Sequence, residues 1–500
     1  MIMPPQLTAM KRWELQTKAR SIDVELNKWR ALSEAKQPLE KHYRQVRRLA
    51  KELDGMIKVI KREVTKLQNP TDSASFFREI RRVEYLILEV HRIWHFFRQK
   101  FAARQGPHNQ LLEALDEFAW SCYSPVFTEK VPEPPLTFFS SDWSPAASFR
   151  HADLPIEQTV DMREGRTPQD PLFARKRLNK IVIPLISLPW FESTFLPEAL
   201  FLAHETGHLL DNELELAKDY TASLKQASIA NDRIENSWLS WSPEIFADLY
   251  AVLCLGPAFA GALMIRISST TKDILDFSND PSYPPPHVRM CIALEALKKI
   301  GFVDEAQSLK QTWNATYGRP VPEQPGVFAI QDYVQSELVD DVPAVVAAIL
   351  DAPYTRLGSP LIQLDSIRWT CANQRLASTI ASDLLSPGSP LSGGGPRELL
   401  AAAQLAFQQE PGTLFNTFAN SKLATQDQLV EQILAQRKPG TRRGESEDDE
   451  TPSPVLPDLD NLAASDEETG VSLAEALLAA FDAREARAST ATAVEESNHG

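Results

Sequence analysis

His204-Glu205-Thr206-Gly207-His208 sets two histidines four residues apart with a glutamate beside the first. The surrounding Leu196–Leu210 segment, with Pro197 near its start, reads as a helix, so both imidazoles leave one face. Two neutral imidazole nitrogens so placed can share one tetrahedral zinc ion. Glu205 falls next to them, where its carboxylate can take a proton from water whose pKa zinc brings down to about 7. Leu200, Phe201, Leu202 and Ala203 before the pair, and Leu209 and Leu210 after it, suit a buried helix better than a solvated one with a coincidental histidine pair.

A hydrolytic zinc site needs a third protein ligand and one open position. Glu213, Glu215, Glu235 and Glu244 lie downstream. Glu213 and Glu215 follow His208 too closely to fold back on it, and Glu235 has no recognisable setting. Ser242 and Pro243 read as an N-cap and first helical residue, which puts Glu244 in a first turn and Asp248 one turn on, on the same face. Glu244 then supplies a carboxylate for the metal, and Asp248 can hold a ligand histidine by its free N–H. The plainer account of Glu244 is an acid favoured by a helix N-terminus. Asp248 has no such account, because an unpaired carboxylate in an apolar helix is costly.

HExxH followed by ExxAD is similar to the gluzincin zinc peptidases. Further on, Ser282-Tyr283-Pro284-Pro285-Pro286-His287-Val288-Arg289-Met290 resembles the T-H-P-P-x-x-x-R-I segment of the HtpX-like and CAAX-prenyl endopeptidase group. The resemblance covers about residues 180–300. It implies that His204, His208 and Glu244 bind zinc, that Glu205 is the general base, that Asp248 is a supporting acid and that Arg289 is the family's arginine. The chain departs from that group at Tyr283, where the group has histidine, and in lacking its transmembrane helices.

Tyr283 or His287 could aim a donor at a developing oxyanion; equally, Tyr283 could pack in a Pro-rich turn and His287 cap a helix. Arg289 could fix Asp248, Asp211 or a substrate carboxylate, and Asp211, three residues past His208, could support the site. His91 and His95 are also four apart, but they flank a helical seam and lack a carboxylate partner.

The elements that must position these groups are mostly helical. After a first helix at about 7–36, Leu39, Tyr43, Val46, Ala50, Leu53, Ile57, Ile60, Val64 and Leu67 alternate spacings of four and three. Phe76, Ile80, Val83, Ile87, Val90, Trp94, Phe97 and Phe101 repeat the pattern after a polar turn, which predicts an antiparallel helical hairpin. The large aromatics of the second seam call for packing beyond its partner helix. Residues 124–170 read as a Pro-rich, irregular but ordered connection, and Lys180–Ile186 as an edge strand because of Pro184. Helices are expected at 243–265, 286–300, 303–314, 342–351, 366–385, 397–409 and 425–436, with a flexible linker at Ser386–Pro396.

The chain has 500 residues, 43% hydrophobic and 24% charged, which excludes fibrous and wholly disordered classes. Four dispersed cysteines form neither a disulfide framework nor a cysteine zinc site and suit a reducing, cytoplasmic compartment. The start has no apolar signal segment, and 245–265 is broken by Asp248 and Gly256-Pro257, so a buried helix is expected and no membrane. Residues 1–69 hold sixteen Lys/Arg against eight Asp/Glu; residues 441–500 hold four Arg against fifteen Asp/Glu. A solvated helical surface beside a disordered acidic tail accounts for this, and nucleic acid is not expected as a partner. Residues 471–487 form an amphipathic helix with Leu473, Leu477, Ala480 and Phe481 on one face, too short to stand alone.

The expected protein is thus mainly α, in four segments. These are a coiled-coil-like hairpin at 1–123, a zincin-like core with a small edge-strand sheet at 124–320, a helical region at 321–436, and a disordered acidic tail with a terminal helix at 437–500. The expected activity is zinc-dependent hydrolysis of a protein or peptide substrate. The tail helix either occupies the cleft or docks on the basic head, restraining activity, and a protein partner could meet the hairpin or that helix. The rival reading is a non-catalytic scaffold with a structural or vestigial zinc site, which has no need for Glu205.

Overall fold

The computed structural model describes residues 5–67, 72–127, 132–150, 183–227, 229, 232–276, 282–317, 325–386, 389–414, 424–436, 470–479 and 481–483. The described part is mainly helical, with one small sheet. It divides into two units, one of residues 1–107, 150–183 and 439–500, the other of 108–149 and 184–438.

In the first unit, α1 (Pro5–Leu32), α2 (Tyr43–Lys66) and α3 (Ser73–Ala102) all pack on one another. The two seams are buried as their spacing requires, apart from the half-buried Tyr43 and Trp94. Leu15, Ala19, Ile22, Leu26 and Trp29 bury the facing stripe of α1. Trp29 meets Phe101 edge-on at 4.9 Å, which is the further partner the aromatic seam calls for. Asp72 caps α3 by accepting the Ser75 N–H at 2.9 Å. Residues 470–479 and 481–483 form a C-terminal helix that lies against α2 and α3. The expected disorder of 437–469 falls outside the described residues.

In the second unit, β1 (Leu136–Ser140), β2 (Ala146–Ser148) and β3 (Leu185–Pro189) form a sheet of order β1-β3-β2. β3 is parallel to β1 and antiparallel to β2. Two expectations are corrected here. The connection expected to be irregular contains β1 and β2, and the strand expected at the edge is the central one. Pro184 lies just ahead of β3, where its missing N–H costs no ladder bond, and its carbonyl accepts the Leu136 N–H at 2.9 Å. The part of the expected strand at 180–182 lies outside the described residues.

Ten helices of the second unit bear on the argument: α4 (Asn109–Tyr123), α5 (Phe201–Leu214), α6 (Ala217–Gln226), α7 (Asp232–Leu255), α8 (Pro257–Arg266), α9 (Thr271–Leu275), α10 (Pro286–Lys299), α11 (Val303–Tyr317), α12 (Pro325–Leu350) and α13 (Cys371–Leu384). They are followed by α14 (Pro396–Gln409) and α15 (Ala424–Ala435). The apolar stretch expected at 245–265 is buried over 245–263 in two pieces, α7 and α8, broken at Gly256. Gly256 has φ +55° and its absent Cβ would fall 2.2 Å from the Trp369 ring, so only glycine fits. Among the described residues, no helix is long and apolar enough to cross a membrane.

Of the flexible linker expected at 386–396, residues 389–395 form a hydrogen-bonded connection between α13 and α14, and residues 387–388 lie outside the described residues. The Ser392 N–H donates to Asp383 at 2.9 Å, and Gln432 reaches the Leu391 carbonyl at 3.0 Å. Other helices begin earlier or later than their periodicity suggests: α12 starts at Pro325, and α13 starts at Cys371, where Thr370 is the N-cap and forms a capping box with Asn373.

Candidate metal centre

The centre is built from α5 and α7, which lie in contact. Gly207 sets their separation. A Cβ there would meet the Ala247 Cα at 3.0 Å and the Tyr250 Cβ at 3.3 Å, so the motif's small residue is what lets α7 come close enough to join the histidines. α7 also differs from its expected shape. It begins at Asp232, so Pro243 lies inside it and Glu244 is not in a first turn. Pro243 cannot donate to the Leu239 carbonyl. The Ser242 hydroxyl takes that place, donating to Leu239 O at 2.8 Å. The Ser-Pro pair is therefore an internal repair of one helix rather than the start of another.

Three ligand-type side chains converge where the helices face each other. His204 Nε2 and His208 Nε2 lie 3.2 Å apart. Glu244 brings one oxygen to 3.3 Å from His204 Nε2 and the other to 3.5 Å from His208 Nε2. Among the described residues this is the one group of three or more His, Cys, Asp or Glu side chains able to hold a metal ion.

The donor set fits a cation. Asp248 Oδ1 sits 2.9 Å from His204 Nδ1, which places the ring proton there and leaves the Nε2 lone pair facing inward. The Nε2 atoms of two imidazoles and a carboxylate thus face one spot, and the buried Glu244 Oε2 has no hydrogen-bond partner. A tetrahedral zinc with bonds of about 2.0–2.1 Å sets its ligand atoms about 3.3 Å apart. His204 Nε2 lies close to that distance from both His208 Nε2 and Glu244 Oε2, and the third contact, 3.5 Å from His208 Nε2, is made by the other Glu244 oxygen.

The electrostatics have the same sign. Burial pulls the His204 pKa down, but the neighbouring Asp248 and Glu244 carboxylates outweigh this and raise it to about 9. Burial pushes Glu244 up, and its two histidine partners more than reverse that, holding it well below the usual carboxylate range. The carboxylates around His204 therefore favour positive charge beside them, which a divalent ion supplies. Asp248, 1% exposed, is itself kept ionised against its burial chiefly by Arg289. Arg289 Nη2 donates to Asp248 Oδ1 at 2.9 Å, and Arg289 Nε donates to Oδ2. Of the three partners open to Arg289 in the sequence, the structure selects Asp248.

The remaining candidates separate cleanly. Glu205, 7% exposed, follows His204 on α5, and its charge acts on both His204 and Tyr283. Tyr283 is 38% exposed and stands under the Arg289 guanidinium, 5.2 Å from its ring centroid. Partial burial first, and then the Glu244 charge, push its hydroxyl up to about 12, so it keeps its proton. His287 is drawn elsewhere. Trp313 Nε1–H donates to its Nδ1 at 2.9 Å, and Cys291 Sγ lies 3.8 Å from its Nε2. Asp211 ties α5 to α6 by accepting from the Tyr220 hydroxyl at 2.8 Å, with its charge beside His208. Glu213 accepts from Tyr123, and Glu215 is paired with Lys218, so neither competes for the ion. Glu235's side chain lies outside the described residues.

Sequence reasoning missed the packing role of Gly207 and the Trp313 partner of His287. A glycine between two paired histidines of a helix was the available signal for the first. Nothing local signals the second, because Trp313 is on another helix. No family model matches this chain, and no curated protein or solved structure matches it significantly.

Proposed function

We propose that the protein is a zinc-dependent endopeptidase of the gluzincin kind, acting in the cytoplasm on a protein or peptide substrate, with a zincin-type core formed by α5, α7 and the small sheet. The observation that carries this reading is the convergence of His204 Nε2, His208 Nε2 and Glu244 at separations of 3.2–3.5 Å, with Asp248 behind His204. His204, His208 and Glu244 hold the ion. Zinc held there would lower the pKa of water toward neutrality and would polarise a carbonyl.

The chain's own residues supply the rest. Glu205 takes a proton from the attacking water and passes it to the leaving amine nitrogen. Tyr283, still protonated at neutral pH, donates to the oxygen that gains charge; His287, engaged by Trp313, is the weaker candidate. Asp248 fixes the His204 tautomer, and Arg289 keeps Asp248 ionised. The outer edge of β2 is unpaired among the described residues and β2 packs on α5, so an extended substrate adds a strand there rather than at β3. Trp143 and Phe191, exposed rings 5.4 Å apart, offer apolar surface close by in sequence to β2 and β3. Four free cysteines accord with a reducing compartment.

The purified chain is expected to carry one zinc per molecule by elemental analysis. It should cleave an unfolded protein substrate, stop on chelation and recover on zinc addition. A chain that takes up no zinc sinks the reading. Arg289→Met is expected to weaken zinc binding by about 10–100-fold, because it leaves Asp248 buried with its main partner gone. Competition against a calibrated chelator measures this, and an unchanged affinity removes Arg289 from the site.

A further inference from the structure

The C-terminal helix buries Leu473, Ala474, Leu477 and Leu478, two adjacent pairs one turn apart. Its start is pressed on α2: a Cβ at Gly470 would fall 1.8 Å from the Glu52 carbonyl oxygen. Glu475 pairs with Arg62 at 3.0 Å, Asp482 pairs with Arg82 at 3.0 Å, and the Phe481 ring lies 5.6 Å from Tyr85. The surface beneath is cationic. Arg62, Lys66 and Arg82 all donate to the nearly buried Glu63, and Glu79 lies 3.6 Å from Arg82. Glu475 and Asp482 add the acidic groups that this cluster still favours.

We propose that this face of α2 and α3 is a receptor for acidic amphipathic helices, held by the protein's own tail until a helix from a partner protein replaces it. The partner helix carries large apolar residues at i, i+4 and i+5, a small apolar one at i+1 and carboxylates at i+2 and i+9, the pattern of positions 473, 477, 478, 474, 475 and 482. Exchange follows from how the tail is held. Isolated helices below ~12–15 residues are marginal in water, and the described helix, residues 470–479 and 481–483, is near that limit, so docking is what stabilises it. Both ion pairs are exposed, with side-chain exposures of 51% at Glu475 and 55% at Asp482, and hold it weakly. Specificity therefore rests on four apolar side chains and the fit at Gly470. Covalent attachment, rather than intrinsic affinity, gives the tail its advantage over a free helix. This inference stands whether or not the chain hydrolyses peptides.

The test uses the full chain and a fluorescent synthetic peptide spanning residues 470–484, read by anisotropy. Gly470→Val, which adds bulk against Glu52, and Leu477→Asp, which puts a charge in the buried face, each release the tail by a different route and leave the receptor helices untouched. Both released chains are expected to bind the peptide at least about tenfold more tightly than wild type. Adding Arg62→Glu and Arg82→Glu to the Leu477→Asp chain is expected to weaken that binding about three- to tenfold. A peptide with aspartate at positions 473 and 477 should not bind. Equal peptide binding by wild type and both released chains, or equal binding of the aspartate peptide, overturns the proposal.

Discussion

Glu205→Gln is expected to keep its zinc while peptide-bond cleavage falls by about 10²–10⁴-fold, the range a positioned general base supplies. The substitution changes one oxygen to NH₂ and hardly alters volume, so α5 keeps its packing. Glu205 lies outside the trio formed by His204, His208 and Glu244, so the ion keeps its three protein ligands. What disappears is a carboxylate able to accept a proton beside His204 and Tyr283. Elemental analysis and turnover on the same preparation separate the two effects. Unchanged cleavage would remove Glu205 from the chemistry. Zinc without cleavage in the wild type as well would favour the scaffold reading, in which this carboxylate has no task.

Gly207→Val is expected to cost about 1–3 kcal/mol of stability and to weaken zinc binding by about a hundredfold. A Cβ at 207 already lies 3.0 Å from the Ala247 backbone, and the two methyl groups of valine need room that neither helix can give without moving. The movement separates α5 from α7, and Glu244 belongs to the helix that moves. Gly207→Ala should show the same loss on a smaller scale. Urea unfolding reports the stability term and chelator competition the affinity term. A valine variant with wild-type zinc affinity would show that α7 approaches α5 by some other constraint.

Much of the site could be read along the chain because its parts are local. His204 and His208 are one helical turn apart, as are Glu244 and Asp248, and one turn of helix fixes which side chains share a face. The two head seams were legible for the same reason. Other features failed because their causes are not local. Ser242-Pro243 has the form of a helix start, yet α7 runs through it because the Ser242 hydroxyl replaces the lost N–H donor to Leu239. Pro184 suggested an edge strand, yet it sits before β3, where the ladder does not need its N–H. The contact of His287 with Trp313 from α11 was likewise not legible along the chain.

From its sequence alone this protein has an HExxH helix, a second acidic pair one turn apart and a tail helix unable to stand unsupported, since helical periodicity and propensity act over a few residues. Folding in three dimensions decided which carboxylate faces the histidines, that Arg289 holds Asp248, that β2 rather than β3 is an edge, and where the tail helix rests. Those outcomes depend on distances between segments far apart in the chain, which are set by side-chain volumes and buried charges packing against one another rather than by any local rule.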